Sequence, residues 1–546
     1  MKKLIVFLLI LLLMFGGVYV FFFRNGESDD TSTLYADNRL IYEGDLQDES
    51  YLKVIDGQVY ISLNFIKEKI DENVFYDSNE QTVVFTNEKS VRRYKLNEST
   101  GTSNDVEISL RAPLTEIDGE VMVPIEAFVY DYPIDLKYNS EEKVVTIDRT
   151  DKEYMTAKVT VNTSYLREEA SSKSPIVKIM SKDDKVYVYG ETAEWYKVRQ
   201  LEGKTGYMRK RHLELSYDLK EFSREKDPLE TAKEEEQEKI NLLWDYTSVK
   251  TPNGDSVENL VGVNVLSPTW FSLNEDFSID DRSNYEYVKK AQGYGMKVWP
   301  MFDNSFKEGL TELALKSTSR RQEIIADVFK KCQDIGVDGI NIDFEHINVE
   351  TRDNFSQFVR ELYPIFSEAG MTVSVDVVPR IFSEVEKEPY DRKALADIAD
   401  YIMLMAYDQH WSSSQTAGSV AEYSWVEANT NILFRSIPME KFVLSLPLYT
   451  RIWFDKGGQV SSQSVSMEVA NEFISKNNIE MEWDTKAKQK VGHKQIGDSL
   501  VSIWLEDGQS IKAKTSLVEK YGLAGVASWR KGFETLDIWS VIDENI

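Results

Sequence analysis

The feature that most restricts the fold of this chain is a series of eight short apolar segments in roughly its last 300 residues, separated by helical patterns. One such pattern covers 352–369, where phenylalanines recur on one helical face and Pro364 interrupts the sequence. Apolar strands joined by crossover helices build an α/β fold, and eight of them close a parallel barrel. The sequence therefore predicts a (β/α)8 TIM barrel over residues 239–546, with strands at 241–244, 262–266, 297–302, 339–344, 372–378, 401–406, 442–446 and 525–528.

The interval between the last two predicted strands is too long for a loop. It covers about residues 454–510 and contains a helix-like stretch at 467–475 and strand-like stretches at 480–483 and 500–504. We expect a small α+β insertion in the barrel.

The fourth predicted strand carries polar side chains on one face. Asn341, Asp343 and Glu345 share one parity, which places them on the same side of a strand. Such groups are costly to desolvate inside a barrel, and barrels of this kind carry their active sites at the carboxyl ends of the strands. This parity predicts a catalytic site. Asp338 breaks the parity beside Gly339 at the start of the strand, and alternation alone does not predict its direction.

Four motifs near the ends of the predicted strands occur together in one order. They are Asp338-x-x-Asn341-x-Asp343-x-Glu345, Met405-Ala-Tyr407-Asp408, Leu446-Pro-Leu-Tyr449-Thr-Arg451-Ile-Trp453 and Gly525-Val-Ala-Ser-Trp529. The set resembles glycoside hydrolase family 18, whose Asp-x-x-Asp-x-Asp-x-Glu signature the first motif matches with Asn at the second acidic position. The resemblance extends over roughly the last 300 residues and implies a retaining glycosidase.

The resemblance also implies the role of each matched residue. Glu345 is expected to protonate the glycosidic oxygen, with a pKa raised by the adjacent charge of Asp343. This family uses the 2-acetamido oxygen of the sugar as the nucleophile, so the substrate must be N-acetylated. Asp343 is expected to orient that acetamido group, and Tyr407 to donate a hydrogen bond to its carbonyl. The predicted catalytic residues are Glu345, Asp343, Tyr407, Asp338 and Asn341.

A second set of residues is predicted to bind the substrate. Asp408 should hold the reacting sugar and Trp529 should form the floor beneath it. Tyr449 and Arg451 are expected at a subsite or behind it rather than as catalysts. Trp299 is either a site residue or part of the core. The predicted substrate-binding residues are Asp408, Trp529, Tyr449, Arg451, Trp299 and Met405.

Two departures from the family pattern refine the prediction. Asn341 cannot hold a proton or a charge as aspartate does, so any relay through this position is altered. The Ser-x-Gly-Gly sequence of the third strand is replaced by Trp299-Pro-Met-Phe302-Asp303-Asn304. In this respect the chain looks more like the bacterial branch with spore-cortex and cell-wall N-acetylglucosaminidases than like secreted chitinases.

The amino terminus has the length of a membrane anchor. Residues 4–23 are an unbroken apolar run behind Lys2 and Lys3, and twenty helical residues span roughly 30 Å of hydrocarbon. We predict a transmembrane signal anchor at 1–24, with the leading lysines in the cytoplasm and the rest of the chain outside. The alternative is a cleaved signal with an atypical site, which would give a secreted or wall protein.

Residues 36–150 contain an internal repeat. The segment at 56–63 corresponds to the one at 118–125, each with an Asp-Gly turn followed by an alternating strand. The repeat predicts an α+β domain and resembles the domain at the amino terminus of copper amine oxidases. No copper is implied, because the first histidine of the chain is His212. We interpret this domain as a spacer or binding module.

Residues 155–216 contain short strands separated by turn residues, which predicts a small β-barrel. The positions of Pro175, Trp195 and Tyr207 resemble those of bacterial SH3-like domains that bind cell-wall peptides, so a wall peptide is an expected partner. Trp195 is either a ligand contact or part of the core. Residues 217–238 are highly charged and lack an apolar stripe, which predicts a linker.

Composition excludes several kinds of partner. With 92 acidic and 64 basic residues the net charge is -28, which opposes binding to nucleic acid. Cys332 is the only cysteine, so no intramolecular disulfide forms. The four histidines are scattered, and we expect neither a metal nor another cofactor.

Together these features predict a membrane-tethered, extracytoplasmic glycosidase that cleaves β-1,4 bonds at N-acetylglucosamine in peptidoglycan or spore cortex. Within the enzymes, the alternative is a hydrolase of chitin or chito-oligosaccharides. The alternative of another class is a catalytically silent glycan-binding protein, in which Glu345 is only a structural carboxylate.

Overall fold

The structure is a computed structural model that describes residues 27–221, 238–248, 254–307, 309–380, 384 and 387–546. The predicted anchor at 1–24 and most of the predicted linker at 217–238 lie outside these residues. Within the described ranges, no helix has both the length and the apolar character needed to cross a bilayer.

Contacts divide the chain into two compact units. One unit contains the chain up to Val74, Tyr94–Thr102 and the residues from Glu107 through the SH3-like strands. The other contains Phe75–Arg93, Ser103–Val106 and the barrel. Part of the predicted repeat domain is therefore grouped with the barrel by its contacts.

In the first unit, the two repeat halves pair through their first hairpins. Val123 lies opposite Ile61, so the hairpins form one four-stranded sheet. Each hairpin leads into a short helix, and the first helix is capped where Ser62 Oγ accepts from the backbone N–H of Phe65 at 3.0 Å. The elements are Arg39–Tyr42, Asp45–Leu46, Leu52–Ile55, Gln58–Ser62, helix Leu63–Lys69, Thr115–Ile117, Glu120–Pro124, 3-10 helix Ile125–Ala127, Ile134–Asn139 and Val144–Arg149.

The SH3-like residues form a seven-stranded antiparallel sheet that curls around a small apolar core. Trp195 is 6% exposed and lies under the Arg209 guanidinium, 4.7 Å from the ring centroid. This placement favours the core alternative for Trp195. The strands are Glu153–Val159, Thr163–Arg167, Ile176–Ser181, Lys185–Glu191, Trp195–Gln200, Thr205–Arg209 and Leu213–Glu221.

A buried polar cluster joins the repeat halves to the SH3-like sheet. The Arg199 guanidinium forms an ion pair with Asp148, and Tyr189 Oη donates to the same carboxylate at 2.7 Å. Thr205 Oγ1 donates to the carbonyl of Gly44 at 2.6 Å. Buried polar groups are stable only when they are satisfied in this way, so these contacts fix the two modules of the first unit to each other.

The second unit contains the predicted barrel. The first strand pairs in parallel with both the second and the eighth, which closes the sheet. The third strand is in two pieces separated by Trp299 and Pro300, and proline has no N–H to donate to a ladder. The (β/α)8 prediction is confirmed, with strands Ile240–Asp245, Val265–Leu273, Lys297–Val298 with Met301–Asp303, Gly339–Asp343, Thr372–Val377, Tyr401–Met405, Phe442–Pro447 and Gly525–Trp529.

Helices surround the barrel strands. Ile340, Ile342 and Phe344 face these helices, and the Phe344 ring stacks on Phe355 and Phe358 at 5.6 Å. The predicted helix at 352–369 is confirmed, and it continues through Pro364. The helices are Tyr285–Gly293, Leu310–Leu315, Thr318–Ile335, Arg352–Glu368, Arg392–Ile398, Tyr423–Leu433, Gly508–Tyr521 and Ile538–Asp543.

The predicted α+β insertion follows the seventh barrel strand. It is a five-stranded antiparallel sheet with one helix, and it begins at Tyr449, earlier than the sequence indicates. Its elements are Tyr449–Lys456, Gln459–Ser466, helix Met467–Asn477, Glu482–Asp484, Gln489–Ile496 and Ser499–Leu505.

A hairpin from the repeat region completes the second unit. Its strands are Phe75–Asp77 and Thr82–Thr86, and Asp77 at the end of the first strand caps the barrel helix Thr318–Ile335. Asp77 Oδ2 accepts from the backbone N–H of Thr318 at 3.0 Å and from its hydroxyl at 2.9 Å.

Beside this hairpin, the buried carboxylate of Glu361 accepts from Arg93 at 2.9 Å and from Arg321 at 2.8 Å. Val84 and Val91 join the same apolar core as the barrel. The residues 75–93 are thus packed as part of the catalytic unit.

Candidate active site

A cavity of about 680 Å³ opens at the carboxyl ends of the barrel strands. Its walls are largely aromatic, and its acidic side chains come from two strands and from the loops that follow the fourth and sixth strands. Such an end is where barrels of this type place their chemistry. The aromatic lining includes Trp244, Tyr246, Tyr407, Trp411, Trp425 and Trp529, and the acids are Asp343, Glu345, Asp376 and Asp408.

The fourth strand presents its polar residues to the barrel interior, as the alternation predicts. Asn341 is fully buried and Asp343 is 4% exposed. Glu345 lies just after the strand, where it is half-buried and lines the cavity. The strand therefore places two carboxyls in succession from the interior of the barrel toward the cavity.

The backbone of Glu345 is held by the side chain of Asn304, which follows the third strand. Asn304 Nδ2 donates to the Glu345 carbonyl at 2.6 Å, and Oδ1 accepts from the Glu345 N–H at 3.1 Å. The same amide donates to Thr311 Oγ1 at 2.7 Å. Tyr390 Oη donates to the carbonyl of Phe344 at 2.7 Å. These bonds fix the position from which the Glu345 carboxyl reaches into the cavity.

Burial is the main cause that raises the pKa of the Glu345 carboxyl. The charges of Asp408 and Asp303 act in the same direction, and that of His346 opposes them. The sequence attributes this shift to Asp343, whereas the dominant contribution comes from removal of water around the group. A carboxyl in this environment retains its proton to higher pH than an ordinary glutamate.

Two further aspartates line up with Asp343 across neighbouring strands. Asp303 ends the third strand and pairs in register with Asp343. Asp376 lies near the end of the fifth strand and is 1% exposed. Asp376 is not among the predicted site residues, although Ser374 and Asp376 alternate along their strand as Asn341 and Asp343 do along theirs.

Burial also dominates the titration of these aspartates. It raises the pKa of Asp343 well above its usual range, and the charges of Glu345, Asp376 and Asp303 add to the effect. Burial likewise raises the pKa of Asp376 well above its usual range, although the hydrogen bond from Asn341 opposes the rise. The interior behind Glu345 therefore resists carrying several negative charges at once.

Asn341 links the side chains inside the barrel. Its Oδ1 accepts from the indole Nε1 of Trp244 at 2.9 Å, and its Nδ2 donates to Asp376 Oδ1 at 2.8 Å. Asn341, which the sequence predicts as catalytic, thus connects side chains inside the barrel and does not line the cavity.

Asp408, Tyr449 and Arg451 form one cluster on the cavity wall. Asp408 Oδ1 accepts a hydrogen bond from Tyr449 Oη and another from Arg451 Nη2, the latter at 3.0 Å. Arg451 also donates to the carbonyl of His410. The ring of Tyr407 meets that of Tyr449 edge-on at 6.4 Å. The arrangement fixes the direction of the Asp408 carboxylate.

Trp529 ends the eighth strand and lines the cavity with Met405. Its ring lies 6.0 Å from that of Trp244. A flat apolar surface of this kind suits the face of a sugar ring.

The structure does not bring Asp338 and Trp299 to the cavity. Asp338 Oδ2 accepts from the backbone N–H of Val298 at 2.9 Å and from Gln292 at 3.2 Å, at the amino ends of the strands. Trp299 is 1% exposed and stacks on Tyr401 at 5.7 Å. Asp338 lies five positions before Asp343, and Trp299 lies four positions before Asp303. This offset along the strands places both residues toward the opposite end of the barrel.

Comparison with known families agrees with this architecture. Residues 271–533 match the family model of glycosyl hydrolases family 18. Residues 45–147 match the copper amine oxidase N-terminal domain, and residues 162–214 match the bacterial SH3 domain.

Two curated relatives from Bacillus subtilis (strain 168) share the barrel region. The uncharacterized glycosylase YvbX is 22% identical over 317 residues, which cover 54% of this chain and 89% of that protein. The cortical fragment-lytic enzyme is 22% identical over 256 residues, which cover 46% of this chain and 59% of that protein. The chain thus spans less than two thirds of the second relative.

A solved structure shares the fold. The spore cortex-lytic enzyme SleL of Bacillus megaterium superposes with a TM-score of 0.52 at 19% identity, covering 57% of this chain and 75% of that one. The barrel of this chain thus matches glycosyl hydrolases family 18, which indicates a glycosidase, and the preceding residues match a copper amine oxidase N-terminal domain and a bacterial SH3 domain.

Proposed function

We propose that this glycosidase is a retaining, substrate-assisted enzyme that cleaves β-1,4 bonds at N-acetylglucosamine in peptidoglycan or its spore-cortex form. The observation that carries the proposal is the position of Glu345 at the mouth of a buried acidic row. It is half-buried, faces the cavity and has a raised pKa. A carboxyl that keeps its proton near the working pH is suited to protonate a leaving oxygen.

The other cavity acids are poorly placed to attack a sugar. Asp343 and Asp376 are almost fully buried behind Glu345, and Asp408 is bound by Arg451 and Tyr449. In one class of retaining glycosidases that lack a carboxylate nucleophile, the 2-acetamido oxygen of the substrate attacks the anomeric carbon. These placements support a substrate-assisted route.

Asp343 then serves the acetamido group. Its Oδ1 is buried and has no hydrogen-bond partner within the described residues. A buried acceptor of this kind is costly unless a ligand completes it. We assign this oxygen to the N–H of the acetamido group, with Tyr407 donating to its carbonyl and Trp529 beneath the sugar.

The assignment to a wall or cortex glycan draws on the relatives. One is named a cortical fragment-lytic enzyme, and a bacterial SH3 domain accompanies the barrel in this chain. We propose a wall peptide as the ligand of the SH3 domain. The anchor predicted at 1–24 would hold the enzyme at the outer face of the cell membrane.

The test is product analysis of purified peptidoglycan and chito-oligomers digested by the full-length protein. We expect new reducing ends that carry N-acetylglucosamine, and we expect Glu345→Gln to abolish them. Glu350→Gln is a matched control, because Glu350 is exposed on the helical turn after the strand. It should digest at the wild-type rate.

Other products would identify the alternatives. Cleavage confined to chito-oligomers would assign the enzyme to chitin-type substrates. Glycan binding without release of reducing ends, equal in wild type and Glu345→Gln, would replace the enzyme by a glycan-binding protein.

A further inference from the structure

The side-chain amide of Asn341 has a single orientation that suits its neighbours. The indole Nε1 of Trp244 can only donate, and it lies 2.9 Å from Asn341 Oδ1, so this oxygen is the acceptor. The amide nitrogen therefore points to the other side. There it donates to Asp376 Oδ1 at 2.8 Å and to Ser374 Oγ at 3.1 Å. Asp376 thus receives a fixed hydrogen bond on one of its two oxygens.

Asp376 and Asp343 lie side by side on the inner face of the barrel. The fourth and fifth strands pair in parallel with Asn341 opposite Ser374, and the same alternation two residues later brings Asp343 level with Asp376. Neighbouring strands are about 4.8 Å apart. Asp303 pairs with Asp343 from the other side. Three carboxyls therefore form a row across three adjacent strands.

The members of this row differ in how their oxygens are bonded. Asp303 accepts from Ser272 Oγ at 2.8 Å and from the N–H of Ser305 at 2.7 Å. By contrast, Asp343 Oδ1 and Asp376 Oδ2 are buried without a hydrogen-bond partner in the described part of the chain. A proton on one of these two carboxyls would make it a donor to the other.

From this geometry we infer that Asp376 is a positioning carboxyl, which shares one proton with Asp343 and supplies from the fifth strand the acidic partner that Asn341 cannot supply from the fourth. One proton for two carboxyls leaves the pair with a single negative charge. The proton stays within the pair, so no atom passes to the substrate. The inference rests on the proposed function, in which Asp343 faces the acetamido group.

The surroundings of the pair favour a shared proton. Glu345 follows on the fourth strand, Asp303 faces the pair from the third, and the phenols of Tyr390 and Tyr407 are near enough to interact with its charge. The sixth strand contributes the uncharged Met403 and Met405. Two buried carboxyls among such neighbours cannot both ionise at low cost. Burial and these charges raise the pKa of both members.

A reciprocal exchange of the acid and the amide tests the inference. Asp376→Asn should lower kcat by about 10- to 100-fold with little change in KM, because Asp343 loses its proton-sharing partner. Combining it with Asn341→Asp returns an acid to the interior beside Asp343 and should recover most of that loss. Ser445→Ala is the control. It removes another buried interior oxygen without a partner, from the seventh strand, and should keep wild-type kcat.

Three further readouts distinguish this role from a purely structural one. The Tm of Asp376→Asn should equal or exceed that of wild type, because a buried acid with an unsatisfied oxygen is removed. The acidic limb of kcat against pH should move to lower pH, since Asp343 loses a like-charged neighbour. In a Glu345→Gln background, which removes the protonated acid itself, an infrared carbonyl band of a buried protonated carboxyl should be present at neutral pH and should lose intensity when Asp376→Asn is added.

The outcomes separate the inference from the proposed function. Wild-type kcat in Asp376→Asn, a double variant no faster than the single one, or a carboxyl band that is unchanged when Asp376→Asn is added to Glu345→Gln overturns the role of Asp376. The double variant keeps one acid and one amide at positions 341 and 376, as the wild type does. Its kcat therefore tests the inference even if Asp376→Asn alone folds poorly. If the wild-type protein releases no reducing ends, the proposed function fails, and the infrared band still decides whether the pair shares a proton.

Discussion

Asn304 illustrates how a residue outside the family signature supports Glu345, the proposed catalytic acid. Its side chain forms hydrogen bonds with both the N–H and the carbonyl of Glu345, so it acts on the backbone and not on the carboxyl. A displacement of this backbone by even a fraction of an ångström moves the acid away from the glycosidic oxygen.

Replacing this amide should therefore impair turnover more than stability. We expect Asn304→Ala to lower kcat by about 10- to 100-fold while KM changes little. Thr311→Val removes only the outer partner of Asn304 and leaves both bonds to Glu345, so its kcat should fall far less. Steady-state kinetics on one chito-oligomer measures both. Equal losses in the two variants would contradict the proposed role.

The pH dependence of catalysis should report the environment of Glu345. The acid must be protonated, so kcat/KM should fall as the pH rises through its raised pKa. The charge of Asp408 helps to raise that pKa. In Asp408→Asn the alkaline limb of kcat/KM should therefore move to lower pH, in addition to any loss of binding. A limb that stays in place would show that Asp408 does not act on the acid.

For single residues, the sequence predicts which side chains of one strand share a face. Alternation along the fourth strand places Asn341, Asp343 and Glu345 on one side, and the structure agrees. Asn304 was missed because its role depends on the pairing of separate strands, which no local pattern specifies. A search for alternating polar residues in every predicted strand would have found Asp376.

The hairpin that contains Asp77 supplies a cap for the barrel helix Thr318–Ile335. Burial acts to raise the pKa of Asp77, but hydrogen bonds from Glu80, Thr318 and Asn79 outweigh it, and the pKa is lowered. A lowered pKa means that the folded state favours the carboxylate. The cap therefore contributes stability above the ordinary pKa of an aspartate, and this contribution is lost as the pH falls through the folded value.

We expect Asp77→Ala to destabilise the protein by about 1 kcal/mol at neutral pH, the typical effect of losing a helix cap. The difference from wild type should shrink in acid, where the carboxyl is protonated in both states. Thermal unfolding across a pH series measures it. Glu72→Ala, at an exposed turn position of the first unit, is the comparison, and a loss as large there would argue against the cap.

Element boundaries were predicted unevenly. All eight barrel strands begin within a few residues of their predicted starts, and seven of them also end close to their predicted ends, because their apolar runs are continuous. The second strand extends to Leu273, well beyond the predicted end, because polar residues such as Thr269 and Ser272 are also part of it. The insertion begins at Tyr449, since its first strand continues almost directly from the seventh barrel strand.

At the scale of the whole molecule, the sequence predicts the modules but not how they share residues. The repeat, the SH3-like strands and the barrel each have a local pattern. The contact between Asp77 and Thr318 joins residues 241 positions apart, and no local pattern encodes it. The net charge of -28 restricts partners and carries no information on this packing.

A chain reduced to residues 238–546 should therefore be less stable than the full-length protein. It would lose the apolar contacts of Val84 and Val91 and leave the buried Arg321–Glu361 pair without Arg93. Thermal unfolding of the truncated and complete proteins, each followed by the fluorescence of the barrel tryptophans, compares them. An equal Tm would show that the hairpin is dispensable.

Because this hairpin packs within the second unit, that unit does not need an intact peptide chain between the SH3-like strands and the barrel to stay assembled. A protease site engineered into 222–237 would break the chain between the SH3-like strands and the barrel. Residues 75–93 of the amino-terminal fragment would nevertheless stay bound to the carboxyl-terminal fragment through the Asp77 cap, the Arg93–Glu361 ion pair and the apolar contacts of Val84 and Val91. The nicked enzyme should elute as one particle. It would behave as a fragment-complementation pair, in which the first part of the chain to be synthesised serves as a structural subunit of the last.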